Sequence, residues 1–204
     1  DFLQSPDPDD PDKLVKDNYI ICVDPSLLGK LQTRASLANI FKLSNDLFNF
    51  KGPPRVFDEG SLTEAFLTRT EYPKNVGLFI MRKSLVEGSR ELIFDKMEKI
   101  VIEKGLGLKP APLRERAFVD SISILRSGTC FDDRGKETWS YTVTPDTITF
   151  SGQTCHLYIG GYSPKAGVYV HTSNYPQKCL GIVPYASVAD EVDDLSMRFE
   201  NMTI

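Results

Sequence analysis

Two cysteines and two histidines lie close together in the second half of the chain: Cys155, His156, His171 and Cys179. They include both histidines of the protein and half of its four cysteines. Thiol and imidazole side chains form disulfides, bind transition metals and act as nucleophile and base. If this protein performs chemistry, we expect it at this cysteine–histidine segment.

The cysteine–histidine segment is expected to form a β-hairpin. Residues 155–159 and 168–172 have strand character, and a loop containing glycine and proline joins them. Pairing the two strands about this loop would place Cys155 opposite His171, with the Cβ atoms about 5 Å apart. His156 would then point to the other face of the sheet, whereas a register shift of one residue would oppose the two histidines.

Disulfide bonding is the interpretation that we favour for the cysteines. Their number is even and suits two disulfides among Cys22, Cys130, Cys155 and Cys179. A bond from Cys155 to Cys179 or to Cys130 would stabilise the fold by about 3 kcal/mol. Both histidines would then be ordinary surface residues.

Catalysis is the alternative, with Cys155 as nucleophile, His171 as base and Asn174 orienting the imidazole. The backbone N–H groups of Gly160 and Gly161 could supply an oxyanion hole. A zinc site is not expected, because adjacent Cys155 and His156 point to opposite faces of a strand and the tight ligand pairs of zinc sites are absent from the sequence. We therefore predict no metal site.

Tyrosines suggest a binding surface. Six of the eight tyrosines lie in the second half of the chain, and tyrosine is enriched at protein interfaces because it adds a large amphipathic area. Tyr162 lies in a glycine-rich loop and Tyr175 precedes Pro176, so these two are expected to be exposed. We predict them as binding residues.

The composition is that of a globular protein of 204 residues, with 41% hydrophobic and 25% charged residues. The net charge of −4 comes from residues 1–13, which we predict to be a disordered acidic tail before a single domain over residues 14–204. Lysine and arginine do not cluster, which argues against nucleic-acid binding. No apolar run is long enough for a transmembrane segment, and no motif indicates a cofactor.

Secretion is expected from three features. The numbering begins at Asp1 rather than at a methionine, the cysteines are even in number, and Asn201 begins an N-x-S/T sequon. We therefore predict an extracellular glycoprotein. Asn201 is its expected glycosylation site.

The sequence predicts an α+β fold, in which alternating strands and helices in the N-terminal half pack against a C-terminal antiparallel β-meander. Residues 109–112 mark a possible internal boundary. The expected strands and helices, in chain order, are a strand at 19–23, a helix ending near 50, a strand at 55–57, a helix at 61–68, a strand at 76–81, a helix after Ser84, strands near 118–124, 139–144 and 147–151, the hairpin, and a C-terminal helix at 188–199.

These features favour a secreted, disulfide-stabilised protein that acts by binding a protein or cell-surface partner, such as an effector, a toxin component or a surface-binding factor. The alternative is a cysteine-dependent hydrolase or transferase that uses Cys155 and His171. The two hypotheses differ in the state of the Cys155 thiol, because a disulfide would prevent it from acting as a nucleophile.

Overall fold

The structure is a computed structural model that describes residues 2–8, 10–23, 78–104, 107–127, 140–150, 152–163 and 167–187. Within this part of the chain, 46% of the residues are in strands and 28% are in helices. The described part of the chain is therefore mostly sheet.

The described strands, in chain order, are β1 (Pro6–Asp7), β2 (Asp10–Leu14), β3 (Tyr19–Val23), β4 (Leu78–Arg82), β5 (Lys109–Pro110), β6 (Tyr141–Phe150), β7 (Gln153–Ser163), β8 (Gly167–Ser173), β9 (Leu180–Gly181) and β10 (Pro184–Ser187). The described α-helices are α1 (Val15–Asn18), α2 (Phe94–Glu103) and α3 (Leu113–Ser127), and a 3-10 helix spans Phe2–Gln4.

The strands form two four-stranded sheets and one small ribbon. Sheet I has the order β3-β4-β10-β5 with antiparallel pairing throughout. Sheet II has the order β8-β7-β6-β9, in which β6, β7 and β8 form an antiparallel meander and β9 runs parallel to β6. β1 and β2 pair only with each other among the described strands. The expected antiparallel meander is present in sheet II, which is one of two four-stranded sheets.

The predicted fold class is wrong in its N-terminal half. Before β4, the described residues form strands, one short α-helix and a 3-10 helix, rather than alternating strands and helices. β10, from the C-terminal half, lies between β4 and β5 in sheet I. The two halves of the sequence therefore share a sheet. The helices expected near 50 and at 61–68, the strand at 55–57 and the C-terminal helix at 188–199 lie outside the described residues.

Helix α3 replaces a predicted strand. We expected a strand near 118–124 because apolar and polar residues alternate there, but Leu113–Ser127 is helical. Arg116 and Asp120, four residues apart, form a fully buried ion pair with both nitrogen–oxygen distances at 2.9 Å. Ser121 donates a hydrogen bond to the carbonyl of Ala117. These contacts require helical spacing, which the alternation concealed.

Strand β6 continues through residues that the sequence predicts as a turn. Pro145 and Asp146 lie within β6, where the pairing with β7 shifts register between Val143 and Thr147. The irregularity turns the Asp146 carboxylate towards α3, and it accepts a hydrogen bond of 2.7 Å from the N–H of Leu113. Asp146 therefore satisfies a backbone donor in the first turn of α3.

The acidic N-terminal segment also differs from the prediction. Most of residues 1–13 lie in the 3-10 helix, β1 and β2, and Asp7 is fully buried. Its carboxylate accepts hydrogen bonds from Asn18 at 2.6 Å and from Arg82 at 3.2 Å. These two donors compensate the buried charge and attach the segment to sheet I.

Helix α2 begins nine positions later than expected, with its N-cap at Ile93 rather than at Ser84, because the intervening segment bonds to the rest of the fold instead. The N–H of Val86 bonds to the carbonyl of Ile182, and Arg90 bonds to the carbonyl of Lys178. The helix then packs Met97 and Val101 into the main core together with Val143 and Leu180 of sheet II. Its first turn consequently lies beside strands β6 to β8.

Candidate functional site

The β7–β8 hairpin is present, but in a different register from the predicted one. His171 pairs with Tyr158, and Ser173 pairs with His156. Paired residues share a sheet face and successive residues alternate, so Cys155 lies on the face opposite to His171. The predicted opposition of Cys155 and His171 is therefore wrong.

Cys155 is buried and hydrogen-bonded. Its thiol donates to the carbonyl of Gln153 at 3.8 Å, and the Nδ2 group of Asn174 donates to the sulfur at 3.2 Å. The structure thus brings together two of the three residues of the catalytic hypothesis, but Asn174 contacts the thiol rather than the base. No imidazole contacts this sulfur among the described residues.

His171 lies in a column of aromatic rings instead. Its ring stacks on Tyr158 with a centroid distance of 5.5 Å and on Tyr169 with a distance of 6.0 Å. Gly160 and Gly161, the expected oxyanion hole, are buried within β7. A Cβ atom on Gly160 would collide with the carbonyl oxygen of Ser140, and its φ of +149° also favours glycine. Close strand packing therefore accounts for this glycine.

The predicted disulfides are wrong for the described cysteines. Cys22, Cys155 and Cys179 are all free thiols, and Cys130 lies outside the described residues. Burial raises the pKa of the Cys22 thiol, which keeps it protonated. The argument for secretion that rested on disulfides is lost, and the sequon at Asn201 lies outside the described residues.

The imidazole ring of His156 is held by two contacts. Its Nδ1 atom lies 3.1 Å from the carbonyl oxygen of Thr144. A carbonyl can only accept, so Nδ1 carries the proton and, in the neutral ring, Nε2 keeps its lone pair. The ring stacks on Phe94 of α2 with a centroid distance of 3.9 Å and an angle of 18°. Two contacts therefore fix both the orientation and the tautomer of the ring.

A groove of about 260 Å³ opens beside His156, and we call it the His156 groove. Most of its wall is apolar and comes from the start of α2 and from sheet II: Leu92, Ile93, Phe94, Met97, Val143 and Leu180. The remaining wall comes from His156, Asp95 and the segment that follows β8, residues 173–175. The groove therefore joins an apolar interior to a few polar groups, which is the usual composition of a ligand site.

The two predicted binding tyrosines have different positions. Tyr175 lies at the edge of the His156 groove with 76% of its surface exposed, as the sequence predicts. Tyr162 lies in β7, which extends to Ser163, and pairs with Val168 rather than belonging to a loop. Their roles in binding stay predictions.

The part of the groove formed by α2 could not be predicted from the sequence. Phe94 and Asp95 reach it only because α2 starts at residue 94, and the expected start at Ser84 hid their position in the first turn. His156 lies on the face opposite to Cys155, as predicted, but on the same face as His171, which was not predicted. Nothing in the sequence indicated Phe94 as its stacking partner. Only the late helix start and the register of sheet II together reveal the groove.

Comparisons of the chain with protein-family models, with curated protein sequences and with solved structures find no match. None of the helices in the described residues is long and apolar enough to cross a membrane. The described residues also contain no group of three or more histidine, cysteine or acidic side chains placed to hold a metal ion.

Proposed function

We propose that this protein is a binding protein, and that one side chain of a partner polypeptide occupies the His156 groove. The observation that carries the proposal is the apolar groove of about 260 Å³ between two exposed side chains, Ile93 and Tyr175. Ile93 is 45% exposed and Tyr175 is 76% exposed. Large apolar side chains in such positions mark interaction sites in many proteins.

The size of the groove favours a side chain over a free small molecule. Pockets for small molecules and cofactors usually enclose about 300–1,000 Å³ and cover most of the ligand. The His156 groove is smaller, and one of its lining residues, Tyr175, is largely exposed to solvent. A polypeptide would place one side chain inside and cover the rim with its neighbouring residues.

The test is selection of a random dodecapeptide library on phage against the immobilised protein. We expect a shared sequence pattern among the selected peptides, and at least tenfold weaker binding of those peptides to the Ile93→Ala and Tyr175→Ala variants. Ile102→Ala is the matched control, because Ile102 is an exposed isoleucine of α2 (58%), the helix that Ile93 precedes, but does not line the groove.

Binding to the control variant should equal binding to the wild-type protein. The proposal is overturned if no sequence is enriched above an uncoated surface. It is also overturned if Ile93→Ala and Tyr175→Ala bind the selected peptides as tightly as Ile102→Ala does.

A further inference from the structure

We infer that the side chain accepted by the His156 groove is an arginine of the partner polypeptide. This inference rests on the proposed function and adds the chemistry of the occupant. It follows from the polar groups of the groove, from its aromatic surfaces and from its charge.

The side-chain polar groups left for a ligand are mainly hydrogen-bond acceptors. Nε2 of His156 keeps its lone pair in the neutral ring because Nδ1 bonds to Thr144. Asn174 uses Nδ2 on the sulfur of Cys155, which leaves its Oδ1 atom as an acceptor. The hydroxyl of Ser173 bonds to the backbone carbonyl and N–H of Tyr175, so it contributes little to a ligand.

Asp95 adds a negative charge to this acceptor set. It lines the groove in the first turn of α2 and is exposed. The structure shows no ion pair of Asp95 with another described residue. A cationic occupant would pair with this carboxylate, whereas an anionic occupant would be repelled by it.

The aromatic surfaces favour a flat cation. Phe94 and His156 stack on each other at 3.9 Å, and Tyr175 lies at the same groove. A guanidinium group is planar, stacks on aromatic rings and donates several hydrogen bonds in a fixed fork. Lysine carries a compact point charge and lacks the planar shape and the fixed fork of donors. The apolar stem of an arginine would pack against the apolar wall, as long basic side chains commonly do.

The overall charge does not oppose a basic partner, since the net charge of the chain is −4. Arginine is also one of the residues enriched at the energetic centres of protein interfaces.

The experiment uses five peptides of the form acetyl-Gly-Ser-X-Ser-Gly-amide, in which X is arginine, citrulline, lysine, leucine or glutamate. Citrulline has nearly the shape of arginine without its charge. Each peptide is titrated up to about 5 mM into the full-length ¹⁵N-labelled protein, and the dissociation constant is read from the backbone amide shifts of the groove residues. We expect the arginine peptide to bind at least tenfold more tightly than the citrulline peptide.

Two variants locate the charge that recognises arginine. Asp95→Asn should reduce the preference for arginine over citrulline to threefold or less. Glu103→Gln is the matched control at the other end of α2 and should keep the full preference. The backbone amide spectrum of each variant verifies that it is folded.

The outcomes separate this inference from the proposed function. If leucine or citrulline binds as tightly as arginine, the groove accepts a side chain but does not select the cation, so only this inference is overturned. Tightest binding of the glutamate peptide also overturns it and indicates an anion at the start of α2. If no peptide shifts the groove residues, both proposals are overturned.

Discussion

The backbone carbonyl of Thr144 lies 3.1 Å from Nδ1 of His156 and determines which nitrogen of the ring carries the proton. This contact spans the irregular part of the β6–β7 pairing, since the register shifts between Val143 and Thr147. The local irregularity of β6 therefore contributes directly to the chemistry of the groove. It leaves Nε2 as an acceptor in the neutral ring.

We expect the neutral ring of His156 to be protonated at Nδ1. The hydrogen bond to Thr144 stabilises this tautomer and is absent from the other one. A long-range ¹H–¹⁵N correlation spectrum of the imidazole groups at alkaline pH measures the tautomer, and a His171→Gln variant assigns the signals. Protonation at Nε2 would contradict the geometry and remove an acceptor from the groove.

The buried ion pair of α3 should contribute far more to stability than an exposed pair with the same spacing. Arg116 and Asp120 are both fully buried, so Asp120→Ala removes the carboxylate that bonds to a buried guanidinium at two nitrogens. We expect the free energy of unfolding in urea to fall by about 3–5 kcal/mol. The loss should be much smaller when Arg116→Met and Asp120→Leu are combined, because no charge is then left buried.

The control for this prediction is the exposed pair of α2. Lys99 and Glu103 are also four residues apart, with a nitrogen–oxygen distance of 3.6 Å, but water screens both charges. Glu103→Ala should change the free energy of unfolding by less than about 0.5 kcal/mol. Equal losses for Asp120→Ala and Glu103→Ala would show that α3 is not packed as the structure describes.

Several strands could be predicted because their signal is local. Tyr19–Val23 forms β3 at the predicted residues, and the two strands of the hairpin are present as β7 and β8. Short runs of β-branched and aromatic residues between turns favour strands whatever their partners. Register is different, since it depends on how side chains of separate strands pack, and the predicted pairing of Cys155 with His171 was wrong for this reason.

The helix α3 and the His156 groove depend on contacts that are distant in the sequence. Alternation at residues 118–124 resembles a strand, and only the burial of Arg116 and Asp120 on a single helix shows the true period. The groove depends on the contact between Phe94 and His156, which lie 62 positions apart in the sequence. No local pattern in either segment encodes that contact.

The buried phenol of Tyr19 should make the folded protein less stable as the pH rises above about 10. Burial raises the pKa of Tyr19 to about 12, against an ordinary value near 10.0, and the effect of Asp7 adds to that of burial while Arg82 opposes it. The unfolded chain loses the phenol proton first, so this contribution to stability is complete below about pH 10 and is lost as the pH rises to about 12. A shift of two units corresponds to about 2.7 kcal/mol.

Urea unfolding at several pH values between 9 and 11.5 measures this dependence. The Tyr19→Phe variant should lose less stability over that range than the wild-type protein. Tyr175→Phe serves as the control, because Tyr175 is 76% exposed and its substitution should leave the pH dependence unchanged. Identical pH profiles for Tyr19→Phe and the wild-type protein would show that the phenol is not buried.

The three described cysteines should differ in their reactivity as free thiols. With iodoacetamide at pH 8 and no reductant, we expect Cys179 to react first in the folded protein, because it is only partly buried. Cys155 should be slow, since it is 9% exposed and its sulfur is hydrogen-bonded to Asn174. Cys22 should also be slow, because burial raises its thiol pKa and only the thiolate reacts.

Peptide mapping by mass spectrometry measures these rates at each cysteine. After unfolding in urea, still without reductant, Cys22, Cys155 and Cys179 should all be alkylated completely. Asn174→Ala should accelerate the reaction of Cys155 in the folded protein by removing the side chain that covers its sulfur, while leaving Cys22 unchanged. A disulfide between any two of these residues would contradict the structure. So would a Cys155 that reacts faster than Cys179 in the folded wild-type protein, and that result would again favour Cys155 as a nucleophile.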